Sequence, residues 1–118
     1  MLYTYRARLS KRSKSHPIYD GDTLRLNVDL GFGIWSDLGP CRLYGIDTPE
    51  VREESRPAGL AARDFVRDLI IESDEFTVRT FKDKKGKYGR WLCEIILDNG
   101  ENVNELLVES GHAVRMEY

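Results

Sequence analysis

The segment Asp20-Gly21-Asp22-Thr23-Leu24-Arg25-Leu26-Asn27-Val28-Asp29-Leu30 opens on a turn and continues as a strand. Asp-Gly is a turn signal. Leu24, Leu26, Val28 and Leu30 then alternate with polar residues, the period of a strand with one buried face. Upstream, Tyr3, Tyr5, Ala7 and Leu9 alternate with Thr4, Arg6 and Arg8, which predicts a first strand. Between the two, Ser10 to Pro17 is polar, basic and closed by proline, and reads as a loop. Downstream, Gly31-Phe32-Gly33 breaks or bends the second strand, and Leu38-Gly39-Pro40 leads into a third strand over Cys41 to Ile46 that Thr48-Pro49 stops.

Beyond that point the period changes. Ala58, Ala61, Ala62, Phe65 and Leu69 recur at three- and four-residue spacing, with Pro57 in the first turn where its missing N–H matters least. Phe76, Val78 and Thr80 alternate again, and Trp91 to Leu97 is an apolar, β-rich run. Asn102 can cap a short helix carrying Val103, Leu106 and Leu107, and Gly111 can end it in a left-handed conformation. The predicted order is βββ-α-ββ-α, an α+β chain. Five short strands must close or be covered to hide their edges, which suits a small Greek-key barrel of the OB type with two helices. There is no internal repeat or low-complexity tract, and residues 1–118 are read as a single domain.

Composition narrows the function classes. A hydrophobic content of 41% beside a charged content of 32% describes a folded domain rather than a disordered chain. No apolar run reaches the length of a membrane span, and Met1 to Ser10 lacks the pattern of a secretory signal, so a cytoplasmic chain is expected unless a leader was removed. Cys41 and Cys93 belong to no CxxC pair and read as buried reduced thiols, with no disulfide and no zinc. The net charge of −2 argues against nucleic-acid binding by bulk charge. The cations are nevertheless clustered, in Arg6 to Lys14 and again in Lys82 to Arg90.

Three segments carry candidate chemistry. Asp20-Gly21-Asp22-Thr23 sets two carboxylates around a glycine at the mouth of a strand, although a plain turn has the same sequence. Arg42-Leu43-Tyr44-Gly45-Ile46-Asp47-Thr48-Pro49-Glu50 runs a cation and an apolar strand into two acids held by a rigid Thr-Pro. Carboxylates and carbonyls are hard oxygen ligands, suited to calcium, magnesium or manganese rather than zinc. Lys87-Tyr88-Gly89-Arg90 places a guanidinium at the start of a strand, and arginine can clasp a phosphate through two parallel hydrogen bonds. His16 and His112 are isolated and read as surface or structural, Trp35 and Trp91 as core or its rim, and Tyr88 as packing or stacking on a base.

Taken in this order, with the helix between the second and third, these motifs resemble the staphylococcal nuclease (thermonuclease) family. The resemblance runs from Tyr3 to Met116 and includes the Asn102 to Ala113 end. It implies a five-stranded OB barrel and a calcium-dependent endonuclease, acting on DNA and RNA with little sequence preference and leaving 5′-hydroxyl and 3′-phosphate ends. Magnesium or manganese comes second to calcium. Carried over by motif, Asp22 and Asp47 are metal ligands through their carboxylates and Thr48 through its carbonyl, with Asp20 nearby. Glu50 matches the glutamate that holds or deprotonates the attacking water. Arg42 and Arg90 match the arginines that bind the phosphate and stabilise developing charge.

The family's long C-terminal helix has no counterpart in the residues up to Tyr118, which puts base binding in question and raises a homodimer beside the monomer. The rival readings are a noncatalytic OB module binding nucleic acid or protein, and a structural or sensing calcium site. The first would be expected to lack some of the acids or arginines. The second explains the acids but not the arginines.

Overall fold

The computed structural model describes residues 3–10, 18–51, 53–71, 73–82 and 91–116. Its strands are β1 (Tyr3–Leu9), β2 (Ile18–Asp20), β3 (Thr23–Asp29), β4 (Trp35–Leu43), β5 (Ile46–Asp47), β6 (Phe76–Lys82), β7 (Trp91–Ile96) and β8 (Val114–Arg115). The helices are α1 (Arg56–Ile70), entered through a short 3-10 turn (Glu53–Ser55), and α2 (Val103–Glu109). The main sheet runs β1-β6-β7-β4-β3-β2, and β1 also pairs with β3, so five strands close on themselves and β2 pairs with the start of β3, beyond the stretch that β1 takes. Among these pairs only β4 and β7 run parallel. This is the predicted five-stranded Greek-key barrel with two helices.

Alternation fills the barrel. Ala7, Leu24, Leu26, Val28, Cys41, Leu43, Phe76, Val78, Cys93 and Ile95 are buried and form one core with Val66 and Ile70 of α1 and Val103 and Leu107 of α2. Trp91 packs against that core, and Trp35 sits on the rim with the Arg8 guanidinium 3.9 Å from its ring centroid.

Three boundaries differ from the sequence reading. The third strand was expected at Cys41 to Ile46, but β4 starts at Trp35 and stops at Leu43. Leu38-Gly39-Pro40 is a bulge inside it: Leu26 faces Gly39 while Asn27 faces Asp37, Gly39 has φ +71°, and Asp37 Oδ1 accepts its N–H at 2.7 Å. Tyr44-Gly45 then turns the chain, with Gly45 at φ +78°, and Ile46–Asp47 becomes a separate strand paired with β8. Short β2, β5 and β8 carry no pattern long enough to read. The buried face of α1 is also turned from the expected stripe, because Gly59, Ala62, Val66 and Ile70 are buried while Ala58 and Ala61 are exposed.

That rotation has a cause at Gly59. A β-carbon there would overlap the carbonyl of Glu50, whose oxygen also accepts the Ser55 hydroxyl at 2.8 Å. At Gly21 a β-carbon would lie 2.8 Å from Cβ of Ala62 and 3.0 Å from Thr48. Two small positions therefore let α1, the Gly21 turn and the Thr48–Glu50 segment touch.

Asn104 does comparable work at the parallel pair. Its amide nitrogen donates to the carbonyls of Tyr44 (3.0 Å) and Cys93 (3.1 Å), and its oxygen accepts from Ile95 N–H at 3.3 Å. It is buried in α2 and ties the end of β4 to β7. As expected, the Asn102 side chain caps α2 by accepting from Glu105 N–H, and Gly111 leaves it at φ +83°.

Two stability outcomes follow. Asn104→Ala strands buried backbone partners and should cost about 3 kcal/mol in urea unfolding; a loss below about 1 kcal/mol would mean that the pair is held elsewhere. Gly59→Ala should destabilise by about 1–3 kcal/mol through overpacking, although glycine to alanine inside a helix ordinarily gains about 1 kcal/mol. A raised urea midpoint would contradict the close approach to Glu50.

Candidate active site

Asp22 begins the site. It follows the Gly21 turn at the mouth of β3, and its residue is 6% exposed. A buried carboxylate costs several kcal/mol unless its oxygens are paired, and here they are. Oδ2 accepts the backbone N–H of Thr48 at 3.2 Å and lies 3.6 Å from the Arg42 guanidinium, while Oδ1 accepts the Thr23 hydroxyl at 3.2 Å. The Asp22 carbonyl also accepts Leu43 N–H at 2.7 Å, so backbone and side chain both clamp β3 to the end of β4.

Arg42 points outward from β4, opposite Thr23. The same terminal nitrogen that faces Asp22 donates to Oδ1 of Asp47 at 3.1 Å, and the sulfur of Met116 is 3.7 Å away. Asp47 is exposed where Asp22 is buried. Its position is set by β8: Asp47 pairs with Val114, Met116 N–H donates to the Gly45 carbonyl at 2.8 Å, and Arg115 grips Glu105 of α2 through two hydrogen bonds of 3.1 and 2.6 Å. That grip raises the pKa of Arg115 and lowers that of Glu105. The C-terminal segment thus orders the second acid, a role with no sequence signal beyond the helix-ending Gly111.

The two carboxylates and one guanidinium leave one formal negative charge. Thr48 is buried, and its Oγ1 has no hydrogen-bond partner among the described residues. The donors gathered here are all oxygen. Among the described residues, no group of three or more His, Cys, Asp or Glu is close enough to hold a metal by side chains alone. A cavity of about 270 Å³ opens beside Asp47, Thr48 and Pro49, with Gly111 to Val114 on its other wall. His112 belongs to that wall, and its ring packs on Phe65 of α1 at 4.7 Å.

Of the residues singled out in the sequence, Asp22, Arg42, Asp47 and Thr48 come together. Glu50 follows Pro49 on the same segment, its carbonyl held under α1 and its side chain exposed. Arg90, the rest of Lys87-Tyr88-Gly89-Arg90, the Lys11 to Ser15 stretch and the Asp20 side chain lie outside the described residues. Neither cysteine belongs to the chemistry: both are buried and free, and the hydrogen bond with Cys41, together with burial, pushes the Cys93 thiol well above its ordinary value. No helix of the described residues is long and apolar enough to cross a membrane.

Comparison with known proteins agrees with this geometry. Residues 40–118 match the model of the staphylococcal nuclease homologue family. Endonuclease YhcR of Bacillus subtilis is 30% identical over 106 residues, covering 81% of this chain and 8% of that protein. The uncharacterised protein MJ1439 of Methanocaldococcus jannaschii is 26% identical over 119 residues, covering 81% of this chain and 55% of its own length. The chain therefore spans only a part of each of these relatives. With a family match reaching from Pro40 to Tyr118, the chain belongs to the staphylococcal nuclease homologue family.

Proposed function

We propose that this chain is a calcium-dependent nuclease that hydrolyses phosphodiester bonds of DNA or RNA with little sequence preference, leaving 5′-hydroxyl and 3′-phosphate ends. The observation that carries the reading is the Arg42 guanidinium set against Asp22 and Asp47. Two acids and one cation leave a negative surplus where a phosphate has to arrive, and a divalent cation reverses its sign. The all-oxygen donors suit a hard cation, and Asp22, Asp47 and the Thr48 carbonyl are the groups that would hold it. When bound, calcium supplies positive charge against the phosphate oxygens. Magnesium and manganese share the donor preference and come second.

The chain's own groups do the rest. Arg42 and Arg90 bind the non-bridging phosphate oxygens, and their charge counters the negative charge that grows as water attacks phosphorus. Glu50 accepts the proton of that water, its backbone anchored while its carboxylate faces solvent. The bond from phosphorus to the 5′ oxygen breaks, and that oxygen leaves as a hydroxyl after taking a proton. Endonuclease YhcR, which shares 30% identity with this segment, supports the same reaction class.

Cleavage of single-stranded DNA, duplex DNA and RNA should require calcium, stop in EDTA and fall by at least about 100-fold in Asp22→Asn. Calcium should also raise the melting temperature of the wild type and not of that variant. Nucleic-acid binding without cutting under any metal would favour the noncatalytic module instead. Glu50→Gln should lower kcat by about 10²–10⁴ while leaving the calcium-induced thermal shift in place. Unchanged kcat would remove Glu50 as the base.

A further inference from the structure

The hairpin between β3 and β4 turns through Leu30-Gly31-Phe32-Gly33-Ile34, and its tip is both apolar and held in place. Leu30 N–H donates to the Ile34 carbonyl at 2.8 Å, Ile34 N–H to the Gly31 carbonyl at 3.0 Å, and Gly31 N–H to Asp29 Oδ1 at 2.8 Å. Gly31 and Gly33 take the positive φ values that glycine allows, 90° and 75°, but Phe32 between them sits at φ 58°, where a bulky side chain is rare. The turn holds that ring clear of the protein. Phe32 is 101% exposed, and Leu30 and Ile34 beside it are 50% and 56% exposed. Apolar side chains scattered singly over a surface are ordinary, whereas a contiguous group marks a contact. Next to the tip, and sharing Leu30 with it, a cavity of about 140 Å³ is walled by Tyr3, Tyr5, Leu38 and Trp91 among others, with no charged side chain among its described lining residues. An apolar cavity of roughly 150 Å³ is the size that takes one benzene ring.

We infer that two copies of this chain pair through these hairpins, the Phe32 ring of each filling the cavity of the other. Ring and cavity adjoin on one patch, the self-complementary arrangement that a twofold pairing uses. Each ring removes roughly 150–250 Å² from water and the walls it meets lose a comparable area, so two rings account for about 600–1,000 Å² of the 1,200–2,000 Å² of a standard interface. The half-exposed Leu30, Ile34 and Tyr3 around them supply the remainder. A bilayer would take up the tip and leave the cavity unfilled, and a nucleic acid would find no cation in the cavity's described walls. Phe32 lies beyond the far end of β3 from Asp22, and seven strand residues at about 3.4 Å each set them roughly 24 Å apart, so the pairing leaves both candidate active sites open.

Sedimentation equilibrium between about 1 μM and 1 mM tests the pairing. The wild type should pass from the mass of one chain to that of two and stop there. Phe32→Asn removes the ring but keeps a residue that tolerates the left-handed turn. It should weaken association at least about 30-fold without lowering the urea midpoint of the dilute chain. Ser36→Leu, which fills the cavity from its own wall, should weaken association as well. A wild type that keeps the mass of one chain throughout overturns the pairing, and binding of that monomer to phosphatidylcholine vesicles would assign the tip to a lipid surface instead. A dimer that survives Phe32→Asn places the contact on another face, and assemblies that grow past two chains make it head-to-tail; either result overturns the inference too.

Discussion

A carboxylate taken out of water governs this molecule. Asp22 lies at the point where β3 begins, β4 ends and the Thr48 segment passes, and its oxygens are satisfied from all three: by Thr23, Arg42 and the Thr48 backbone. Breaking one of these would leave a buried charge short of partners, which is far more costly than losing an exposed ion pair. The charge therefore fixes geometry more than it adds stability. Arg42 cannot swing freely, Thr48 cannot drift, and the exposed Asp47 meets a guanidinium already in place.

Around that point the fold is arranged for close approach. Gly21 and Gly59 leave room where a side chain would not fit, one against Ala62 and Thr48, the other against the Glu50 carbonyl. The helix thereby presses the loop bearing Glu50 into position from below. Asn104 holds the parallel strands together from the other side, and β8 brings the C-terminal segment back across Asp47. Rigid elements thus surround a cluster whose outermost acid, Asp47, is open to solvent.

The acidic balance of the chain, −2 overall, is compatible with a nucleic-acid substrate when charge is considered locally. The surplus negative charge at Asp22 and Asp47 is what a cation would neutralise, and the arginine between them is then available to a phosphate.

Sequence alone determined the barrel strands that alternate clearly, the capped ends of α2, the buried thiols and the membership of Asp22, Arg42, Asp47 and Thr48 in one site. These are set by local periodicity, by turn and cap chemistry and by motif, all of which act within a few residues. The tertiary structure decided what depends on partners distant in the chain. The bulge at Gly39 that lengthens β4, the two-residue strands β5 and β8, the rotated face of α1, the buried polar Asn104 and the Tyr44–Phe81 stack carry no local signature. Each exists because a group remote in sequence supplies the missing hydrogen bond, the steric limit or the second ring.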